Sequence, residues 1–184
     1  MGRANNKTID IFGATNSLKV LSYLAQYPGK EVLSSEIQRA TQASRAGVYF
    51  TLKELVRQGL VSQERRGKVI FYRIVYDDAA IKQFKILKNV FSLRPIVTKL
   101  KPSSRKIVLY GSYSRGENDS TSDIDLFILS KDPQATKDVA SSIKTKQKLQ
   151  TVIKTASELT GFKESEKVFI QEVERGIVLW EEKE

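Results

Sequence analysis

Two aspartates one residue apart lie near the end of the segment GSYSRGENDSTSDIDLFIL, residues 111–129. The run IDLFIL is typical of a buried strand, in which alternate side chains share a face. Asp123 and Asp125 therefore project together, while Ile124 and Leu126 point into the core. Two carboxylates held side by side repel each other unless a cation lies between them. Mg²⁺ (or Mn²⁺) prefers such oxygen ligands, so the pair predicts a divalent-metal site.

A Gly-Ser step precedes this pair, directly after the short apolar run KIVLY. Gly111 lets a phosphate approach the backbone, and the hydroxyl of Ser112 can donate a hydrogen bond to it. We therefore expect a strand, a turn with a short helix, a polar loop and a second strand. This order would bring phosphate oxygens close to a metal held by the two aspartates.

The composition of the 184 residues excludes several kinds of chemistry. The chain has neither cysteine nor histidine, which rules out disulfides, imidazole bases, Ser-His-Asp triads and thiolate or imidazole zinc sites. Any catalysis must depend on carboxylates, hydroxyls, lysines or an oxygen-bound metal. No apolar run approaches the roughly 20 residues that span a bilayer. We expect no membrane partner and a cytoplasmic location.

The positive charge is concentrated in one half of the chain. Residues 1–105 carry 19 Lys and Arg against 7 Asp and Glu, whereas residues 106–184 carry 12 against 14. A merely well-solvated surface would not separate the charges in this way. The asymmetry predicts a basic module that binds a polyanion, joined to a nearly neutral module.

The amino-terminal half predicts three helices and a hairpin. Apolar residues recur at helical spacing in NSLKVLSYL, before Pro28-Gly29, and a short helix follows in LSSEIQRATQ. The third helix lies in ASRAGVYFTLKELVRQGL, with Val48, Leu52 and Leu55 on its apolar stripe. The segment LVSQERRGKVIFYRIV alternates and is rich in β-branched and aromatic residues, which is typical of a hairpin with a basic tip near Gly67.

Three helices followed by a hairpin resemble a winged helix-turn-helix domain, over about residues 8–76. In that family the third helix enters the major groove of double-stranded DNA and the wing contacts the backbone or minor groove. The resemblance implies that the third helix faces DNA with Ser44, Arg45, Tyr49 and Lys53. It implies phosphate contacts from the wing by Arg65, Arg66 and Lys68. The alternative is a winged helix that docks on protein, with its charges merely solvated.

The segment 111–129 resembles the signature of the nucleotidyltransferase superfamily that includes DNA polymerase β, especially its minimal prokaryotic members. The pattern is met by Gly111-Ser112, Arg115-Gly116 and the run from Ser122 to Asp125. The resemblance implies transfer of a nucleoside monophosphate from a nucleoside triphosphate to a hydroxyl. It also implies a division of roles, with metal binding and catalysis by Asp123 and Asp125, and nucleotide binding by Gly111, Ser112, Arg115 and Ser122.

The family has a third carboxylate on a later strand, and no acid occupies the corresponding positions here. We expect a helix at residues 134–149, followed by Gln150, Thr151, Val152 and Ile153. Glu158 is the nearest acid. A glutamine is a poor general base, so a catalytically weak or inactive domain in a DNA-binding regulator is the alternative to an enzyme. A third alternative is that both halves bind other proteins.

The sequence thus predicts an α+β protein of two domains, a winged helix-turn-helix and a small mixed-sheet α/β domain. We place the winged helix at residues 1–76, a connecting helical segment at 77–103 and the nucleotidyltransferase-like domain at 104–184. The connecting segment has more apolar residues than one narrow stripe requires. Packing between the two halves and a homodimer interface both remain open explanations for that excess.

Overall fold

The computed structural model describes residue 13 and residues 15–183. They form two compact units that divide after Ile81, each with helices and its own sheet. The predicted α+β class is confirmed. The first residues of the predicted winged-helix domain lie outside the described residues. Within the described residues, no helix has the length and apolar character needed to cross a membrane.

The first unit has the element order of a winged helix-turn-helix. Its sheet has the order β1 (Val32–Leu33), β3 (Val69–Ile74) and β2 (Val61–Arg66), with antiparallel neighbours. In chain order the elements are α1 (Asn16–Leu24), β1 (Val32–Leu33), α2 (Ser34–Thr41), α3 (Arg45–Arg57), β2 (Val61–Arg66) and β3 (Val69–Ile74).

The core of the first unit fixes the direction in which α3 faces solvent. Val48, Leu52 and Leu55 are the buried stripe of α3, as predicted, and they pack in one cluster with residues of α1, α2, β2 and β3. Since 3.6 residues complete a helical turn, the opposite side of α3 must be exposed. Gly67 has a φ of +62°, which suits the first residue of the two-residue turn between β2 and β3.

The second unit is a four-stranded sheet with helices on both faces. Its strand order is β6 (Leu149–Lys154), β5 (Ile124–Ser130), β4 (Ser104–Tyr110) and β7 (Ile177–Glu181), with β5 and β6 parallel and the other neighbours antiparallel. The helix α4 (Ala79–Leu100) begins in the first unit and continues in the second. The remaining elements are β4 (Ser104–Tyr110), α5 (Gly111–Arg115), β5 (Ile124–Ser130), α6 (Pro133–Ser142), β6 (Leu149–Lys154), α7 (Ala156–Ser165), α8 (Lys167–Glu174) and β7 (Ile177–Glu181).

The alternation of β5 decides which face of the sheet carries the aspartates. Ile124, Leu126 and Ile128 pack in a cluster with residues of α4 and α6, whereas Phe127 packs in a separate cluster with residues of α7 and α8. Asp125 alternates with the first set and therefore lies on the face of Phe127, at the end of the strand where α7 and α8 do not cover it completely.

The helix expected at residues 134–149 is shorter than predicted. It ends at Ser142, and residues 143–148 form a connection to β6. The backbone N–H of Ile124 donates to the carbonyl of Lys148 over 2.8 Å, and Leu149 pairs with Ile124. Residues 143–149 are locally compatible with a helix. The contacts of Lys148 and Leu149 with β5 require an extended chain instead, so α6 ends earlier than predicted.

Candidate functional site

The sequence motif collects at one edge of the second sheet. Tyr110, the last residue of β4, pairs with Asp125 of β5, and Asp125 pairs with Gln150 of β6. Gly111 follows Tyr110 directly, and Asp123 precedes β5. Because neighbouring strands are about 4.8 Å apart, the turn at Gly111, the aspartates and Gln150 form a continuous row.

Gly111 is required by the carboxylate of Asp125. Its φ is +68°, and a Cβ atom at this position would lie 2.6 Å from Oδ2 of Asp125. Any other residue would therefore be strained and would displace the carboxylate. The Ser112 hydroxyl is half-buried beside this turn, and within residues 15–183 it has no hydrogen-bond partner.

The two aspartates carry negative charge that the described residues do not fully compensate. Burial, and next the charge of Asp123, raise the pKa of Asp125. Burial, and next the charge of Asp125, raise the pKa of Tyr110 to about 12. Both shifts oppose additional negative charge at this edge, and a bound cation would relieve both.

The donor set fits a divalent ion that keeps water or phosphate ligands. Asp123 and Asp125 supply two carboxylates, and no group of three or more acids, histidines or cysteines suited to a metal occurs among the described residues. Mg²⁺ commonly binds through one or two carboxylates and completes its octahedral shell with water and substrate phosphates. Two protein ligands are consistent with that behaviour.

Gln150 is the first of the four residues, 150–153, at which the sequence resemblance leads us to expect a third carboxylate. It is in register with Asp125, and its amide Nε2 donates a hydrogen bond to Oδ2 of Asp123. Glu158 does not replace it, because it lies in the first turn of α7 and accepts hydrogen bonds from the backbone N–H and hydroxyl of Thr155. These hydrogen bonds lower the pKa of Glu158.

The loop before Asp123 is built by its own polar residues. Oδ1 of Asp119 accepts hydrogen bonds from the backbone N–H groups of Thr121 (2.8 Å) and Ser122 (3.0 Å). The hydroxyl of Ser122 accepts one from the backbone of Asp119 over 2.9 Å. Ser122, predicted from sequence to bind nucleotide, here shapes the loop that delivers Asp123.

The Arg-Gly element of the motif also has a structural part. Arg115 forms ion pairs with Glu117 at 2.8 Å and with Glu172 of α8. Gly116 has a φ of +68°, and a Cβ there would lie 2.3 Å from the carbonyl oxygen of Lys82. Gly116 therefore allows the loop to pass close to α4, while Arg115 joins α5 to α8.

The sequence interpretation missed Lys85 and Asn89 of α4, which form hydrogen bonds that attach the loop before Asp123 to this helix. The ammonium of Lys85, 5% exposed, donates to the carbonyl of Asn118 over 2.5 Å, and burial lowers the pKa of Lys85. The amide of Asn89 donates to the carbonyl of Tyr113 and to the side chain of Asn118. The sequence contains a signal that could have identified them. Both are polar residues, four apart, within the apolar stripe of α4 between Ile81 and Leu93.

In the first unit, the residues predicted to face DNA lie along one exposed side of α3. Ser44 caps the helix by accepting from the N–H of Gly47 over 3.0 Å. Arg45, Tyr49 and Lys53 follow at intervals of four, and all three are exposed. A groove of about 600 Å³ separates α3 from the wing, with Arg45 and Tyr49 on one side and Lys68 and Tyr72 on the other.

The wing cations differ in how freely they could bind a phosphate. Arg65 and Lys68 are exposed, and neither has an ion-pair partner among the described residues. Arg66 donates to Glu31 and Glu64 over 2.7–2.9 Å, which raises its pKa, and lies 4.9 Å from the ring centre of Phe71. A phosphate would have to displace these carboxylates from Arg66.

Comparison with known families decides the nature of the second unit. Residues 95–184 match the family described as Polymerase beta, Nucleotidyltransferase. This part of the chain is a nucleotidyltransferase domain of the polymerase β family. The match covers the sheet edge with Gly111, Asp123, Asp125 and Gln150. No curated protein sequence matches the chain.

Three solved structures are similar to parts of the chain. The homodimeric winged helix-turn-helix DNA-binding domain of Mb0332 from Mycobacterium bovis, a candidate ArsR-family transcriptional regulator, is 29% identical, with a TM-score of 0.36 over 44% of this chain and 70% of that one. A candidate nucleotidyltransferase from Sulfolobus solfataricus is 16% identical, with a TM-score of 0.39 over 57% and 91%. TrmBL2, an archaeal chromatin protein, is 11% identical, with a TM-score of 0.31 over 87% and 70%.

The burial of Asp125, together with its repulsion by Asp123, predicts that Asp125→Asn stabilises the metal-free protein. The raised pKa means that ionised Asp125 lowers the free energy of unfolding at pH 7. The gain in melting temperature should be complete above that raised pKa, shrink as the pH falls below it, and vanish below about pH 4, where the unfolded carboxyl is also protonated. Thermal unfolding followed by circular dichroism between pH 3 and 8 measures it. The exposed Asp138→Asn is the control, and a lower melting temperature for Asp125→Asn at pH 7 would contradict the electrostatic explanation.

Proposed function

We propose that this protein binds double-stranded DNA through its winged helix and a nucleoside triphosphate with Mg²⁺ (or Mn²⁺) through its nucleotidyltransferase domain, in the cytoplasm. The observation that carries the proposal is the row of Tyr110, Asp125 and Gln150 across three paired strands, with Gly111 and Asp123 directly beside it. A DNA-tethered nucleotidyltransferase with slow turnover is the function that this geometry supports best.

The proposal for DNA rests on the exposed side of α3 and on the wing. Arg45 lies at the beginning of α3, where a recognition helix presents side chains to base edges, and a guanidinium can bind two acceptors of a guanine. Arg65 and Lys68 provide unpaired positive charge for phosphates. The exposed rings of Tyr49 and Phe50, 58% and 66% exposed, add apolar surface beside Arg45.

The proposal for nucleotide rests on the fit between the sheet edge and a phosphate chain. Asp123 and Asp125 would hold the metal, and the Ser112 hydroxyl would donate to a phosphate oxygen next to Gly111. A bound divalent ion would supply positive charge that offsets the negative charge of the phosphates and aspartates. Arg115 would donate to a phosphate oxygen after releasing one of its two carboxylate partners, Glu117 or Glu172.

The corresponding reaction is transfer of a nucleoside monophosphate. The oxygen of an acceptor hydroxyl forms a bond to the α-phosphorus, the bond from the α-phosphorus to its bridging oxygen breaks, and pyrophosphate leaves with the electron pair. The hydroxyl proton needs a base. The Gln150 amide cannot accept it and instead donates to Asp123. Loss of general-base help typically costs about 10²–10⁴ in rate, so slow transfer is expected, with solvent water taking the proton.

The second candidate function is a DNA-binding transcription regulator whose nucleotidyltransferase domain binds a ligand without turnover. Gln150 favours it, because an amide in place of a carboxylate removes the base but leaves Asp123 and Asp125 in position. A regulator of this kind would act as a homodimer on a two-fold symmetric DNA site. The two candidates share both ligands and differ only in turnover.

The DNA proposal predicts a steep dependence of affinity on salt. For duplex DNA the logarithm of the association constant should fall with the logarithm of salt concentration by about 0.9 for each phosphate contacted. Arg65→Gln and Lys68→Gln should each lower that slope by about 0.9, and Arg66→Gln by less, because Glu31 and Glu64 already bind its guanidinium. The slope is measured by fluorescence anisotropy of a labelled duplex at salt concentrations from about 50 to about 300 mM.

The control for this titration is Arg57→Gln, at the other end of α3, where Arg57 pairs with Glu54. It should leave the slope unchanged. Arg45→Gln should chiefly reduce the difference in affinity between preferred and random duplexes. Absence of duplex binding at low salt would refute the DNA proposal.

The nucleotide proposal predicts that metal strengthens triphosphate binding. Calorimetry with ATP, GTP, CTP and UTP should give weak binding without metal and tighter binding with Mg²⁺ or Mn²⁺, since the metal offsets repulsion between phosphates and aspartates. Asp125→Asn should remove the enhancement and leave duplex affinity intact. Equal triphosphate affinity with and without metal would refute the site.

The two functions are separated by restoring the third carboxylate. Gln150→Glu should raise nucleotide transfer by a factor on the order of 10²–10⁴ if only the base is missing. The measurement is pyrophosphate release with labelled triphosphates, with duplex and single-stranded nucleic acids as acceptors. Gln150→Asn is the matched control without a base, and Asp123→Asn in the Gln150→Glu background should abolish the gain. Fast transfer by the unaltered protein would place the base elsewhere, and no gain in Gln150→Glu would favour the regulator.

A further inference from the structure

A cavity of about 230 Å³, which we name the α8 cavity, lies between the sheet of the second unit and its helices α7 and α8. Its floor is formed by Val108 of β4, which pairs with Phe127 of β5 on one side and with Val178 of β7 on the other. The wall opposite the sheet consists of three aliphatic residues of the two helices, Leu159, Ile170 and Val173. Val178 is 48% exposed, whereas Val108 and Phe127 are buried, so the apolar interior opens to solvent beside β7.

Two residues of opposite charge line the same cavity. Lys106 lies on β4 two residues before Val108, and Glu174 is the last residue of α8. Within the part of the chain that the structure describes, the Glu174 carboxylate has no ion-pair or hydrogen-bond partner, so it does not pair with Lys106. The Lys106 ammonium lies 3.0 Å from Glu181. Because an ammonium has three N–H donors, Lys106 can still donate to a second acceptor.

These features define the chemical class of a ligand. The volume is below the roughly 300–1,000 Å³ of a typical ligand pocket, so the ligand must be small. An apolar body would displace water from the aliphatic walls, which favours binding in proportion to the area buried. A carboxylate would accept a hydrogen bond from Lys106, and an ammonium would donate one to Glu174. A free α-amino acid with an aliphatic side chain combines these three groups in one small molecule.

The helix that forms one wall of the cavity also contacts residues of the candidate site. Ile170 of α8 faces the cavity, whereas the ring of Phe169 lies 5.3 Å from the ring of Tyr110. Glu172 of the same helix pairs with Arg115. A ligand that packs against α8 would therefore stabilise the position of the helix in which these two contacts form.

We propose that the α8 cavity binds a free α-amino acid with a branched aliphatic side chain, such as leucine. The side chain enters the cavity, the carboxylate accepts from Lys106 and the ammonium donates to Glu174. The inference goes beyond the proposed function, since none of the described residues assigned to metal or nucleotide lines this cavity. Its test therefore does not depend on triphosphate binding.

Calorimetric titration of the full chain with matched ligands tests the proposal. L-Leucine has all the required groups, glycine lacks the apolar side chain, 4-methylpentanoate lacks the ammonium and 3-methylbutylamine lacks the carboxylate. Leucine should bind, and each of the other ligands should bind at least about tenfold more weakly, because a hydrogen bond to a charged group or the apolar contact is lost.

A charge-removal variant identifies the partner of the ammonium. Glu174→Gln should weaken leucine binding by about tenfold and leave the weaker binding of 4-methylpentanoate unchanged, because that ligand has no ammonium. A general distortion of the fold would weaken both ligands. The control is Glu164→Gln, at an exposed residue of α7 that does not line the cavity. It removes the same charge and should change neither affinity.

Two further measurements locate the ligand in the cavity. Val178→Phe places a ring in the cavity from its exposed edge and should abolish leucine binding. In the unaltered protein, leucine should slow amide hydrogen exchange in α8 (Lys167–Glu174) several-fold and leave exchange in α6 (Pro133–Ser142) unchanged.

Three outcomes would overturn the proposal. Equal affinity for glycine and leucine would place the ligand outside the apolar cavity. Equal affinity for leucine and 4-methylpentanoate, with no effect of Glu174→Gln on either, would assign the cavity to an aliphatic carboxylate. Neither heat of binding nor slower exchange in α8 at millimolar leucine would show that the cavity takes no amino acid.

Discussion

The burial of the Asp125 carboxylate, with the charge of Asp123 as a second contribution, is the constraint on which the candidate site depends. The strand pairs around β5 hold Asp125 opposite Tyr110 on one side and Gln150 on the other, and Asp123 lies directly before the strand. A shift of β5 by one residue would turn Asp125 into the core and Leu126 out of it. The fully buried Leu126 and Ile128, both 0% exposed, oppose such a shift. The hydrophobic core thus maintains an arrangement that electrostatics alone would disfavour.

Several polar contacts serve this arrangement and not the core. Gly111 gives the carboxylate of Asp125 room beside the backbone, and Asp119 folds the loop that leads to Asp123. Lys85 and Asn89 attach the same loop to α4. Burial of a lysine ammonium is costly unless it is hydrogen-bonded. The hydrogen bond from Lys85 to the carbonyl of Asn118 holds the loop in position and offsets the cost of desolvating the ammonium group.

Gln150 connects the two candidate functions of the protein. A carboxylate at this position would add a third negative charge beside Asp123 and Asp125, whereas the amide donates a hydrogen bond to Asp123 and reduces the repulsion. In the proposed function, the amide would also leave the acceptor hydroxyl without a protein base. The aspartate pair would then be easier to maintain, and the proposed transfer would be slower.

The sequence by itself determined the elements with strong local signals. The alternation of IDLFIL predicted the strand β5, and the stripe of Val48, Leu52 and Leu55 predicted the helix α3. The turn at Gly67 predicted the wing. Each of these signals is complete within a few residues. The spacing of Asp123 and Asp125 also predicted that the two carboxylates lie near each other at the start of this strand, since residues i and i+2 of an extended segment share a face.

Only the tertiary structure decided features that depend on distant partners. The end of α6 at Ser142 follows from pairing of Leu149 with Ile124, which no local propensity encodes. The same pairing brings Gln150 to Asp123 and Asp125. Arg66 pairs with Glu31, Arg115 pairs with Glu172, and Lys85 donates to the carbonyl of Asn118, and the members of each pair are more than 30 residues apart in the chain. Local sequence specifies where a strand or helix forms, but long-range packing specifies which charges meet.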